Sequence, residues 1–312
     1  MDYTNDNFWK EIQWYLPEEN RISETILPHE YFLPVSDCEI HIDHYKPSAP
    51  KGKVILFHGV GGNGRLLSFI AVPLMKNGFE VICPDMPLYG YTRYKQTVTY
   101  DAWVSCGTKI VQHYQSENSV PVFLFGLSAG GMLAYQIVCE TDSIKGLIVT
   151  CLLDQRNSLI TKSTAINPIL GALAKPVLAV AKNFAGDMKV PMKWLGNMKS
   201  IANNKKLAIL LMQDKKASGA MVSLSFLYSM LNPIIKIEPE KFDRCPVLLA
   251  HPGDDHWTDI KLSNLFYERL ACEKEKVILD GAGHFPIERL GLKQMEIACL
   301  EFMERQIDAC QK

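Results

Sequence analysis

Short runs of consecutive apolar residues alternate with longer stretches of helical period along most of the chain. Val54-Ile55-Leu56-Phe57 is apolar at every position and ends in glycines, the pattern of a strand buried on both faces. Glu80 to Cys83, Val120 to Phe125, Gly146 to Thr150, Val247 to Ala250 and Val277 to Leu279 also read as strands. Two more open the chain, His29 to Val35 and Glu39 to Tyr45, the second alternating Ile40 and Ile42 with polar neighbours. Arg65 to Asn77 has helical spacing and stops at Gly78, a fitting C-terminal glycine. Tyr100 to Ser116, Ser128 to Glu140, a stretch near Ile260 to Leu270, and Leu290 to Ile307 read as further helices. This alternation predicts an α/β fold, a mostly parallel sheet flanked by helices.

Residues 152–244 break the rhythm. They are helical in pattern, rich in Ala, Leu and Met, and punctuated by Pro168, Pro176, Pro191 and Pro233. The break predicts a helical cap inserted into a core made of residues 1–151 and 245–312. Its apolar residues, such as Leu170, Leu173, Leu178, Phe184, Trp194 and Met221, are candidates to line a pocket, although most should pack the cap's own core. Phe8, Trp9, Ile12, Trp14, Tyr15 and Leu16 form an aromatic stripe at the N-terminus that is expected to pack back on its own domain.

Composition excludes several classes. Hydrophobic residues make up 47% and charged residues 21%, which rules out disordered and fibrous chains. A net charge of −1 argues against a general nucleic-acid binder. Yet from Arg156 to Lys216 eleven basic residues face only Asp187 and Asp214. A solvated lysine face explains that surplus, as does attraction to an anionic substrate or lipid surface. The start, Met1-Asp2-Tyr3-Thr4-Asn5-Asp6, lacks the basic and apolar regions of a signal peptide. Ile166 to Ala181, the most apolar stretch, carries Lys175, Pro168 and Pro176 and is too short and broken to span a bilayer. Nine scattered cysteines, from Cys38 to Cys310 and without a Cys-x-x-Cys pair, read as reduced thiols in a cytoplasmic protein.

The candidate chemistry sits at strand ends. Gly126-Leu127-Ser128-Ala129-Gly130 lies between an apolar strand and an apolar helix. Glycines on both sides of a serine allow a sharp turn that lifts its hydroxyl clear of the sheet. A serine hydroxyl needs a base to take its proton. His284 fits, on the loop Asp280-Gly281-Ala282-Gly283-His284 just past the strand ending at Leu279. That puts it at the carboxyl edge of the sheet, where open α/β sheets bind ligands. His29, His41, His44 and His113 fall in early strands or a helix instead. For an orienting carboxylate, His251-Pro252-Gly253-Asp254-Asp255-His256 follows another strand, and spacing alone does not separate Asp254 from Asp255. Those four acids and histidines would suit a metal by type, but adjacent side chains diverge, so no metal is expected.

Together His58-Gly59-Val60-Gly61-Gly62, the Ser128 motif, the Asp255 loop and Gly283-His284 resemble the α/β-hydrolase superfamily, most of all its esterase, monoacylglycerol-lipase and lysophospholipase branch. Pro84-Asp85-Met86-Pro87-Leu88-Tyr89-Gly90 is similar to that family's loop after the fourth strand. The resemblance spans residues 30–150 and 245–305; the insert matches only as a helical cap. It implies a catalytic Ser128, Asp255 and His284, with Asp255 selected by its place four residues after the strand-end His251. It also implies an oxyanion hole from the Val60 and Ala129 amides, no cofactor, and an acyl ester substrate, with contact to anionic lipid as a further expectation. His58 is then a framework residue.

Two other classes compete. Gly59-Val60-Gly61-Gly62-Asn63-Gly64 is a literal Gly-x-Gly-x-x-Gly between strand and helix, with Asp85 at the next strand's end, as an NAD-dependent oxidoreductase would have it. A non-catalytic binding protein on a hydrolase fold is the other.

Overall fold

The runs that lack a polar face lie in the middle of the sheet. In the computed structural model, which describes residues 2–309, the strands are β1 (His29–Val35), β2 (Cys38–Tyr45), β3 (Gly52–Phe57), β4 (Phe79–Pro84), β5 (Arg93–Tyr94), β6 (Val122–Gly126), β7 (Ile144–Val149), β8 (Lys189–Pro191), β9 (Met221–Ser223), β10 (Val247–Pro252) and β11 (Lys274–Leu279). Nine of them form one sheet in the order β1-β2-β4-β3-β6-β7-β10-β11, with β5 paired to β2. The pairs from β4 to β11 are parallel, and β1, β2 and β5 add an antiparallel edge. Every residue of β3, β4, β6 and β10 is buried, which is what a parallel strand covered on both faces requires.

Helices α1 (Asn7–Ile12), α2 (Ser68–Lys76), α3 (Tyr100–Glu117), α4 (Ala129–Glu140), α9 (Ile260–Tyr267) and α10 (Arg289–Ala309) belong to the sheet-bearing part. The helix predicted from Arg65 opens with a 3₁₀ turn, Arg65–Leu67, before α2 begins. At the N-terminus Trp9, Ile12 and Leu16 are buried, whereas Trp14 is exposed.

Beneath the antiparallel edge lies a buried ionic network. Arg65 pairs with Asp43 at 2.5 Å and with Glu30 at 2.7 Å, and His41 reaches Glu30 and Asp85, each at 3.1 Å. Burial opposes the charge on His41, but hydrogen bonds to Asp85 and Glu30 raise its pKa to about 10. The Asp85 carboxylate also accepts the Gly64 amide at 2.7 Å, the Tyr91 amide at 2.8 Å and the Tyr3 hydroxyl at 3.0 Å. These bonds tie the glycine loop after β3 to the loop after β4.

The insert leaves the sheet after β7 and returns at β10. It contains α5 (Ser158–Thr164), α6 (Pro168–Ala185), α7 (Lys205–Gln213) and α8 (Leu224–Leu231). Asn157, Asn167 and Asn204 cap the first three, each accepting a backbone amide of the first turn. The segment is not purely helical, because β8 and β9 pair as a small antiparallel ribbon. Eight cysteines are free, and Cys310 lies outside the described residues. No described helix is long and apolar enough to cross a membrane.

Candidate active site

Ser128 occupies the turn between β6 and α4 with φ 56° and ψ −127°, a left-handed backbone rare for any residue but glycine. The flanking glycines make the turn possible. A Cβ on Gly126 would fall 2.2 Å from the Gly130 carbonyl oxygen, and one on Gly130 would fall 2.2 Å from that of Phe57. The Ser128 amide is held by the Thr150 hydroxyl at 3.0 Å.

His284 Nε2 lies 2.7 Å from Ser128 Oγ, and Nδ1 lies 2.8 Å from Asp255 Oδ2. Asp255 is further fixed by the Trp257 and Thr258 amides, both at 2.8 Å on Oδ1, and by the Thr258 hydroxyl at 2.7 Å on Oδ2. Burial alone would raise the Asp255 pKa, but the charge and hydrogen bond of His284 and the Thr258 bonds bring it down to about 2. The neighbouring Asp254 points away, towards Asn203 at 3.2 Å and the exposed His256 at 3.6 Å. His251 is buried, with Nδ1 donating to the Pro252 carbonyl. The four residues of that loop therefore diverge instead of converging on a metal.

Val60 and Ala129 flank the same point. A Cβ on Gly59 would sit 3.0 Å from the Ala129 nitrogen, so the glycine loop packs directly against the serine turn. Neither the Val60 nor the Ala129 amide donates to any described residue, which leaves two N–H groups beside Ser128. His58 is locked beneath them: Nε2 accepts the Met86 amide at 2.9 Å and Nδ1 donates to Gly59 at 2.8 Å. Burial holds its pKa below the usual imidazole value, so it stays neutral.

The insert reaches into this loop as well. Ser218 Oγ donates to the Gly61 carbonyl at 2.9 Å, and Asn63 Nδ2 donates to the Lys216 carbonyl at 3.2 Å. Gly90 N donates to that same carbonyl at 3.0 Å, and Lys216 Nζ pairs with Asp6 at 2.9 Å. Trp257 makes a second bridge, its ring tilted 49° against that of His284 with centroids 4.7 Å apart while its indole N–H donates to the Thr164 carbonyl in the insert at 3.1 Å.

Ser128 opens on a cavity of about 440 Å³ between the sheet-bearing part and the insert. Leu170, Leu173, Leu178 and Trp194 line it, whereas Phe184 and Met221 do not. Phe184 is 88% exposed, so it packs neither the cavity nor a core of the insert. The dinucleotide alternative loses its anchor here. Asp85 is fully buried with its oxygens already occupied, and a Cβ on Gly64 would fall 2.3 Å from the Cys83 carbonyl, so no ribose can reach that carboxylate. Thr150, Trp257 and Thr258 were not among the residues picked from sequence, because nothing about an isolated threonine or tryptophan marks it as a partner of a distant loop.

A family model described as serine aminopeptidase, S33, matches residues 48–287. No curated protein sequence matches the chain. Among solved structures, a soluble variant of monoglyceride lipase from Saccharomyces cerevisiae is 17% identical, with a TM-score of 0.72 over 91% of this chain and 97% of its own. Monoacylglycerol lipase from Paleococcus ferrophilus is 19% identical, with a TM-score of 0.65 over 86% and 99%. A thermostable carboxyl esterase from Bacillus coagulans is 17% identical, with a TM-score of 0.64 over 90% and 99%. At these identities the likeness establishes a shared fold.

Proposed function

Because the chain belongs to the serine aminopeptidase S33 family of α/β hydrolases, we propose that it is a serine hydrolase cleaving carboxylic esters of medium-to-long acyl chains. The observation that carries the reading is the hydrogen-bonded chain Ser128–His284–Asp255 opening on an apolar cavity. His284 Nε2 takes the Ser128 proton as Oγ attacks the acyl carbonyl carbon, and the Val60 and Ala129 amides receive the oxyanion. Asp255 holds the imidazole tautomer and stabilises the imidazolium. His284 then protonates the departing alkoxide, and water attacks the acyl-enzyme with His284 again as base. The core in this reading is residues 1–151 and 245–312, with 152–244 as its cap.

Ester chemistry is favoured over the aminopeptidase chemistry in the family's description. An aminopeptidase needs an anionic group to receive the substrate's ammonium. Asp154 is the one carboxylate among the described residues lining the cavity, and Arg156 already holds it at 2.8 and 3.0 Å. A series of p-nitrophenyl esters tests the proposal. Burying each methylene is worth about 0.8 kcal/mol, so kcat/KM should rise about fourfold per carbon until the cavity is filled. A higher kcat/KM on acetyl than on octanoyl would overturn the acyl preference, and turnover of aminoacyl amides but no ester would overturn the reaction class.

The pH profile follows from the carboxylate. With its pKa near 2, Asp255 stays ionised throughout the range in which imidazoles titrate, so the acid limb should report a single proton. Log kcat/KM should therefore fall with unit slope on acidification. A slope of two above pH 4 would mean that the Asp255 carboxylate titrates in that range, against its low pKa.

Contact with an anionic lipid surface is part of the same proposal. On α6, Ile169, Leu173, Val177, Val180 and Phe184 recur at helical spacing and are all exposed. Leu173 and Val177 also line the cavity, so this stripe is continuous with its mouth. Lys162, Lys189 and Lys193 lie exposed nearby in sequence. Lysines near such a surface are each worth about 1 kcal/mol and are screened by salt. The protein should sediment with phosphatidylglycerol vesicles at 50 mM salt and release at 500 mM, and Phe184→Asp should weaken binding severalfold. Binding that ignores both salt and the substitution would exclude this surface.

A further inference from the structure

Ser128, Met132 and Gln136 follow one another at intervals of four, so they share one face of α4, and all three line the cavity. The cavity therefore tracks that helix away from the nucleophile. At about 1.5 Å per residue, Gln136 stands roughly 12 Å along the axis from Ser128. Most of the wall around this path is apolar, with Met132, Leu224 and Leu227 among it.

At the far point the wall changes character. Gln136 and Tyr100 of α3 both face the cavity, although only 4% and 3% of their surfaces are exposed. Gln136 Nε2 donates to the Tyr100 oxygen at 3.3 Å, a long bond. No described residue donates to Gln136 Oε1, and the Tyr100 hydroxyl donates to no described residue. Turning the amide over would exchange the end facing Tyr100 and still leave the other end without a partner. A purely apolar chain lying there would strip both groups of water and give nothing back. A chain hydroxyl would fill both vacancies, since it can donate to the amide oxygen while accepting from the phenol.

Resting on the ester-hydrolase reading, we propose that the cavity selects acyl chains bearing a hydroxyl near their far end, received by Gln136 and Tyr100. An extended chain advances about 1.2 Å per bond, taking the 3.3–3.6 Å span of a three-bond residue, so 12 Å corresponds to an oxygen about eight to ten carbons from the ester carbonyl. Gln136 and Tyr100 are specificity residues here and take no part in the bond-breaking step.

The test compares p-nitrophenyl 10-hydroxydecanoate with p-nitrophenyl decanoate, using p-nitrophenyl butyrate as the reference that cannot reach the pair. The wild-type protein should prefer the hydroxylated ester by about tenfold or more in kcat/KM, with the difference residing in KM. Sites built to bind a substrate hydroxyl discriminate against analogues lacking it by at least that much. Gln136→Leu should bring the ratio to one or below, mainly by accelerating the plain decanoate, and Tyr100→Phe should lower it partway. Tyr100→Phe removes a single oxygen and supplies the readout if Gln136→Leu does not fold. A role confined to tying α3 to α4 would change stability and leave the ratio untouched. A wild-type ratio of one or less, or a ratio unchanged in both variants, would overturn the proposal while leaving ester hydrolysis standing. Failure of the wild type on butyrate and decanoate alike would instead overturn the ester-hydrolase reading, and this one with it.

Discussion

Ser128→Ala is expected to lower kcat on an octanoyl ester by about six orders of magnitude, the loss seen when the nucleophile is removed from comparable triads. The size of the effect follows from the geometry. Ser128 Oγ is the atom 2.7 Å from His284 Nε2, so without it the imidazole has no proton to take and no covalent acyl intermediate can form. Labelling by a fluorophosphonate should vanish with the activity. The thermal midpoint should hardly move, because alanine keeps the Cβ and leaves the Gly126 and Gly130 contacts intact. Activity within a hundredfold of wild type, or labelling that persists in Ser128→Ala, would sink the assignment of the nucleophile.

Asp255→Asn is expected to cost about 10⁴-fold in kcat. The carboxylate accepts from the Trp257 amide, the Thr258 amide and the Thr258 hydroxyl and still reaches His284 Nδ1, so it fixes the tautomer that leaves Nε2 free to accept a proton. An asparagine amide turned towards Nδ1 would donate to it and put the imidazole proton on Nε2, where it faces Ser128 and blocks proton removal. Asp254→Asn should stay near wild type, since among the described residues that side chain pairs only with Asn203 and His256, at the surface. The opposite pattern, with Asp254→Asn crippled and Asp255→Asn active, would reassign the carboxylate.

The sheet was legible because a strand buried on both faces writes itself as an unbroken apolar run, as Val54 to Phe57 does. Ser128 was legible for a similar reason: a serine in a left-handed turn requires its neighbouring glycines, and that requirement is local in sequence. Asp254 and Asp255 were inseparable by spacing, because adjacent residues differ only in the direction their side chains take. The resemblance, not the residues themselves, singled out Asp255. The insert was the least legible part. Helical period shows that Leu173 and Phe184 share a face of α6, but not that this face meets solvent. Pairings across great distance, such as Ser218 with Gly61 or Gln136 with Tyr100, leave no trace in periodicity.

The anchoring of Ser218 and Lys216 onto the glycine loop has a practical side. Exchanging the whole segment between β7 and β10 for that of another hydrolase is an obvious route to new substrate ranges. In this protein such a chimera would discard the hydroxyl on the Gly61 carbonyl and the carbonyl that holds Asn63, and the Val60 amide would lose its alignment along with the old pocket. A graft confined to α6 would replace much of the cavity roof and keep both that support and the Thr164 carbonyl that holds Trp257 against His284. Exchange within Pro168–Ala185 should therefore preserve turnover, and exchange that crosses Asp214 should lose turnover, not merely selectivity.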